Sequence, residues 1–302
     1  LVSALRTEVN AGAPFAKALS QHPREFSPIF TAVIGAGEQS GHLGLVLERL
    51  ADDLQEQQNL RGKLLAAGLY PAIVCVVALV IVLFLLAYVV PQVAQVFGSN
   101  QQQLPALTSF MLALSSFVQN FWLWGLLLVA LLSAGGHVAL KQADMRLRFD
   151  AAWLQLPLIG RLARGYNAAR FASTLAMLAT AGVPILKALQ AAADTLSNTA
   201  LKRDAQEALV LVREGAPLAS ALAQHKRFPR LLVMFSRLGE QTGTLPTMLQ
   251  RAAAQLSEEV QRRALQLATI LEPLLIVAMG AMVMLIVLAV MLPIIQLNQW
   301  VR

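Results

Sequence analysis

The sequence predicts an all-α membrane protein, built from two homologous cytoplasmic helical-bundle modules, the first truncated at its N-terminus, and three transmembrane helices. Three observations carry this reading. Of 302 residues 57% are hydrophobic and 14% charged, and the mean hydropathy is +0.59, outside the range of an ordinary soluble domain. The charged residues are segregated, with no Lys, Arg, Asp or Glu from 64 to 140 or from 273 to 301. Finally, one pattern is spelled twice: Glu38-Gln39-Ser40-Gly41, a long helix, Pro71 and Pro91 return 202 residues later as Glu240-Gln241-Thr242-Gly243, a long helix, Pro273 and Pro293.

The first module covers 1 to 70. Gly12-Ala13-Pro14 matches Gly215-Ala216-Pro217 with a displacement of 203, so Leu1 stands opposite Asp204. Nothing precedes it to match 161 to 203, and about two helices of this module are expected to be missing. Gly-x-Pro is a helix stop followed by a restart, since glycine ends one helix and proline suits the first turn of the next. After Gly41, the spacing of Leu43, Val46, Leu47, Leu50 and Leu54 predicts the buried stripe of one long helix. Pro71 is expected to bend or break that helix where the first span begins.

Three apolar runs, 71 to 90, 120 to 140 and 273 to 295, reach the roughly 20 residues needed to cross a hydrocarbon core. A signal peptide is excluded for the first, because a long and mostly polar stretch precedes it and no small-residue cleavage site follows. The segment 91 to 119 has no Lys or Arg, whereas Arg61, Lys63, Lys141, Arg146, Arg148, Arg262 and Arg263 flank the spans on the other side. Positive residues stay cytoplasmic. The modules at 1 to 70 and 141 to 272 are therefore expected in the cytoplasm, with the uncharged loop 91 to 119 and the tail 296 to 302 outside. Phe121, Trp122 and Trp124 open the second span as interfacial anchors.

In the second module Pro157-Leu158-Ile159-Gly160 marks a break, and a helix containing Arg170-Phe171 runs to Gly182. Val183-Pro184 restarts the chain, and further helices are expected at about 198 to 214, 217 to 224 and 229 to 238. A long helix begins at Leu245, with its stripe at Leu245, Met248, Leu249, Ala252, Leu256 and Val260, and runs toward Glu272-Pro273. No strand pattern is present.

These residues, with Lys63 to Tyr70-Pro71, Gly182-Val183-Pro184-Ile185, Leu271-Glu272-Pro273-Leu274-Leu275-Ile276 and Leu292-Pro293-Ile294, resemble the type II secretion system protein F and type IV pilus platform family over essentially the whole chain. Leu47-Glu48-Arg49-Leu50-Ala51-Asp52 looks more like the secretion branch. Gly68 departs from the pattern, standing where the family usually has a larger apolar residue. The resemblance implies a non-enzymatic inner-membrane platform that contacts a cytoplasmic secretion ATPase, bitopic membrane proteins and pseudopilins, forms a homo-oligomer, and helps assemble a pseudopilus for protein export. The pilus platform is the alternative. A small-molecule permease subunit is more remote, because the spans carry no polar path.

Glu48, Asp52 and Glu56 fall at i, i+4 and i+8, lining one helix face with three carboxylates that repel one another. Oxygen ligands suit calcium, and relatives in the secretion branch are associated with a calcium site in the first module, so Glu48 and Asp52 are candidate ligands. Their counterparts are Gln250 and Ala254. The competing reading is a solvated acidic face relieved by neighbours such as Arg49. Glu272 at the membrane mouth, opposite Tyr70 in the repeat, is a candidate partner contact. The Glu-Gln-Ser/Thr-Gly turns lack the Lys-Ser/Thr of a nucleotide loop and read as helix stops. His22 and His225 match in position and read as structural, and His137 as interfacial. The net charge of +7 is what membrane topology requires and, without aromatic-interleaved basic patches, does not point to nucleic acid. The single cysteine, Cys75, excludes an internal disulfide.

Overall fold

A computed structural model describes residues 1–41, 43–92 and 106–300. Much of the expected outer loop, 93–105, and the final residues 301–302 lie outside the described residues, as do the side chains of Trp122, His137, Pro293 and residues 296–300. Among the described residues all regular structure is helical: α1 (Val2–Asn10), α2 (Phe15–Ser20), α3 (Pro28–Ser40), α4 (Leu43–Phe84), a π-helical turn (Leu85–Val89), α5 (Ala106–Ala139), α6 (Ala143–Trp153), α7 (Ile159–Thr180), α8 (Ile185–Asp194), α9 (Thr199–Arg213), α10 (Leu218–Ala223), α11 (Arg230–Thr242) and α12 (Leu245–Trp300). The chain forms two compact units, one of residues 1–64 and 140–264 and one of 65–139 and 265–302. Helices α4 and α12 contribute residues to both.

The first unit is organised around α7. From Ala168 to Leu178 this helix is buried at all but one position, with Phe171, Leu175 and Leu178 fully enclosed. A helix buried on nearly every side belongs inside a core rather than at a surface. Leu189, Leu201, Leu222 and Leu232 from the surrounding helices join it, and so do Leu19, Ile34, Val46 and Leu50 from the N-terminal stretch, in one continuous cluster. Gly12, Gly182 and Gly215 adopt φ of +89°, +79° and +97°, the left-handed conformation in which only glycine avoids a Cβ clash. Each is followed two residues later by a proline that caps the next helix. The Gly-x-Pro stops are thus met as expected, with proline at the N-cap and not within the first turn.

Two expectations for α4 need correction. Pro71 does not break the helix; it lies inside a helix that continues to Phe84. Proline removes one hydrogen bond, but breaking a helix in an apolar stretch would strand several backbone groups without partners, which costs more. The stripe is also narrower than the leucine pattern suggested. Val46, Leu50 and Leu60 are buried, whereas Leu47 and Leu54 are exposed. Asp53 and Gln57, half-buried between them, occupy the seam: Gln57 Nε2 donates to Asp53 at 2.7 Å, and Ser173 on α7 donates to the other Asp53 oxygen. A satisfied polar pair thus replaces leucines on the inward face. The stripe of α12 follows expectation, with Leu249, Ala252, Leu256 and Val260 buried.

In the second unit, two helical stretches among the described residues, Leu43–Gln92 and Leu245–Leu292, contain segments long and apolar enough to cross a membrane. Their apolar segments are largely uncovered: Val76, Val80, Leu274 and Val277 are each more than half exposed. The core helix of a soluble protein would bury such residues, so these faces require lipid or another chain to cover them. Residues 106–119, expected in the outer loop, belong to α5. They pack against the other two helices through Met111, Leu86, Val90, Ile286 and Ala289. Thr108 Oγ1 donates to the Ala289 carbonyl at 2.7 Å and Gln119 Nε2 to the Ala87 carbonyl at 2.6 Å, while Ser115 donates to the Leu86 carbonyl. Side-chain donors on one helix thus serve the irregular π-turn of another, a way of satisfying backbone in apolar surroundings.

Candidate functional site

The repeated Glu-Gln-Ser/Thr-Gly turns have a use that goes beyond stopping a helix. Gly41 and Gly243 end α3 and α11 in the left-handed conformation, with φ of +73° and +69°. Three residues before each glycine, the glutamate reaches the start of another helix. Glu38 accepts from the backbone N–H of Phe15 at 2.7 Å and of Ala16 at 3.1 Å, and Glu240 accepts from Leu218 and, at 3.1 Å, from Ala219. Helices α2 and α10 follow proline caps that cannot supply a side-chain acceptor, so a distant carboxylate satisfies their first two donors. Sequence reading located the turns and missed this role; the signal was the identical glutamate in both.

The face bearing the expected calcium ligands lies on α4. Glu48 and Asp52 are both exposed, one turn apart. Asp52, Asp53 and Glu56 line a cavity of about 80 Å³ between α4, α7 and α12, together with Arg49, Ser173 and Gln250, whereas Glu48 is not among its lining residues. The oxygen-rich lining fits a hard cation, and the Arg49 guanidinium opposes one. Arg49 does not neutralise Asp53 by direct pairing as a neighbour at four residues could; Asp53 is held by Gln57 and Ser173.

A second acidic group was not anticipated. Asp204 on α9 is buried, with one oxygen 2.6 Å from Arg227 Nη1 and 3.7 Å from His225 Nδ1. Glu207 lies 3.8 Å from the same imidazole nitrogen and pairs with Arg203 at 3.0 Å. Asp204, Glu207 and His225 offer ligand atoms within 4.8 Å of one another. Both carboxylates already face a guanidinium, so each has a compensating cation without an ion. His22 and His225, at matching places, share a buried Nε2 without a hydrogen-bond partner. Nothing in the local sequence of α9 marks Asp204 as buried, because it sits among Lys202, Arg203 and Glu207.

Glu272 faces the Tyr70 phenol and is the main influence on its titration. Hydrogen-bonding to that carboxylate, its negative charge and partial desolvation all disfavour the phenolate, so Tyr70 titrates above its usual range. The candidate partner contact therefore has a neighbour within the chain in Tyr70.

Comparison with known proteins agrees with these features. The sequence model of the family described as type II secretion system (T2SS), protein F matches residues 1–91 and 171–293. The chain is 39% identical over 305 residues to the type II secretion system protein F of Aeromonas hydrophila, covering 100% of this chain and 78% of that one. It is 40% identical over 306 residues to the corresponding protein of Pseudomonas aeruginosa, covering 100% and 74%. It is also 37% identical over 294 residues to the type IV pilus assembly protein PilC of Thermus thermophilus, covering 97% and 72%. A helical chain with two uncovered apolar helices and a family match in both its N- and C-terminal parts belongs to the type II secretion system protein F family.

Proposed function

We propose that this chain is the non-enzymatic inner-membrane platform of a type II secretion system, coupling a cytoplasmic secretion ATPase to pseudopilus assembly. One observation supports the coupling most directly. Helices α4 and α12, which carry the uncovered apolar segments, are the same helices whose N-terminal parts hold Val46, Leu50, Leu249 and Leu256 in the core of the first unit. A load on the bundle has a continuous helical path to the apolar segments. In this reading α5 supplies a third span and residues 1–70 and 141–272 face the cytoplasm. Bitopic membrane proteins, pseudopilins and further copies of the chain are its partners.

Photo-crosslinkers at the exposed positions Glu48, Gln55 and Glu258 of the full chain, expressed with its cognate machinery, test the coupling. Capture of the ATPase from α4 or α12 is the expected result; failure from both, with crosslinkers at the apolar positions still active, refutes it. The similarity to a pilus assembly protein supports a second reading, a type IV pilus platform, and complementation of a secretion-deficient or a pilus-deficient strain separates the two.

Calcium at Asp52, with Glu48 one turn away, is a narrower part of the proposal, supported by the oxygen-lined cavity. Calcium titration of the full chain should raise its melting temperature, and Asp52→Ala should abolish the rise. An identical response in wild type and variant removes calcium from the account.

A further inference from the structure

At Gly165, helix α7 comes so close to α12 that a Cβ would lie 2.6 Å from Val260 Cγ2. Beside this contact a groove of about 650 Å³ opens, floored by buried Leu256 and Val260. Five guanidinium side chains surround it: Arg161 and Arg164 from α7, Arg227 and Arg230 where α11 begins, and Arg263 from α12. Glu259 is the single carboxylate in the lining, and it pairs with Arg263. Arg227 is engaged by Asp204 and Arg164 donates to the Gly160 carbonyl at 3.2 Å. Among the described residues, Arg161 and Arg230 form no ion pair. Membrane topology asks for basic residues on one side of a bilayer, but it does not ask that three separate elements aim them into one concavity.

Such a groove selects a compact anion with several acceptor oxygens, since planar guanidinium forks match phosphate geometry. Its place on α12 narrows the source. Past Arg263, Leu265, Ile270 and Leu274 are exposed, and seven residues of helix from Arg263 to Ile270 rise about 10 Å. Arg263, which lines the groove, thus stands about two turns along α12 before the apolar segment. We infer that this groove binds the phosphate of an anionic phospholipid headgroup, with the buried aliphatic floor beneath it. The inference rests on α12 entering the bilayer and does not depend on which assembly machine the chain serves.

Native mass spectrometry of the full chain in neutral detergent, supplied with phosphatidylglycerol or phosphatidylcholine, tests this. The wild type should retain phosphatidylglycerol after phosphatidylcholine has been stripped. Arg161→Gln with Arg230→Gln should lower retention by about thirtyfold, on the scale of two basic residues at an anionic surface. Arg146→Gln with Arg148→Gln, the same charge change at exposed positions on α6, should leave it unchanged. Circular dichroism reports whether each variant folds, and Arg230→Gln alone replaces a double variant that does not. Equal retention of both lipids, or equal loss in both double variants, overturns the proposal. Displacement of the lipid by added inorganic phosphate assigns the groove to free phosphate and overturns the lipid source.

Discussion

Tyr70 and Glu272, 202 residues apart and at the same place in the repeated sequence pattern, interact, the carboxylate holding the phenol's titration above its usual range. A position that differs between two copies of a pattern is usually read as a sign of divergent tasks. Here the difference is complementary, because a donor in one copy meets an acceptor in the other. Two tyrosines or two glutamates would give a weaker pair or a repulsive one. The expected consequence is visible by titration. With Tyr88 and Tyr166 replaced by phenylalanine, the remaining phenol should ionise at higher pH than in the same protein carrying Glu272→Ala. The sign follows from the raised value: whatever the interaction contributes is present below the ordinary tyrosine range and lost as pH rises through the folded value. Stability between pH 5 and 8 should therefore not respond to this pair. Coincident titrations would show that the Glu272 carboxylate does not act on the phenol.

The glutamate caps predict a paired effect. Glu240→Ala removes the acceptor for two N–H groups at the start of α10, and Glu38→Ala does the same at α2. Each should cost about 1–2 kcal/mol, as loss of an N-terminal cap does. Because the groups are backbone donors, glutamine should restore part of the loss in each case. Thermal melts of the full chain in detergent measure this; an alanine variant as stable as the glutamine variant would remove the capping role.

Glycines just before those glutamates lead to an asymmetric expectation. A Cβ on Gly239 would meet the Leu245 Cα at 2.7 Å, whereas one on Gly37 would meet the Val46 side chain at 2.8 Å. A backbone atom cannot rotate away, and a side chain can shift a little. Gly239→Ala should therefore destabilise by about 2–3 kcal/mol and Gly37→Ala by less, near the lower end of overpacking costs. Denaturant melts of the two variants rank them, and the reverse order would contradict the packing.

Much of the fold was legible because local rules and tertiary packing agree here. Gly-x-Pro at 12, 182 and 215 stops and restarts helices wherever it occurs, and the stripe from Leu249 to Val260 has one uninterrupted apolar face. The misreadings have a common cause, since each depended on what lay opposite. Leu47 and Leu54 looked inward by spacing, but Ser173 on α7 gives Asp53 a partner and so turns the inward face of α4 toward a polar seam. Pro71 looked like a break, and its surroundings hold the helix together. The carboxylates of the candidate sites divided in the same way. Asp52 and Glu56 could be placed together from their spacing on one helix, whereas Asp204, His225 and Arg227 meet only when α9 packs against the loop after α10.

That last meeting makes a prediction about charge. Asp204 is buried, and Arg227, which is about half exposed, supplies the cation that compensates it. Removing the guanidinium by Arg227→Met leaves a buried carboxylate with the His225 imidazole nearby, at 3.7 Å. The handicap of an orphaned buried charge reaches several kcal/mol in closed sites; the exposure of Arg227 screens the pair, so a loss of about 2 kcal/mol is expected. Asp204→Asn should be milder, because it removes the buried charge and leaves Arg227 free to turn to solvent. Combining the two should cost less than their sum, since each removes the interaction the other depends on. A double-mutant cycle on the full chain by denaturant melts reads the coupling. Strict additivity would mean that Asp204 and Arg227 are neighbours without being partners, and that Asp204 is satisfied by His225 and solvent instead.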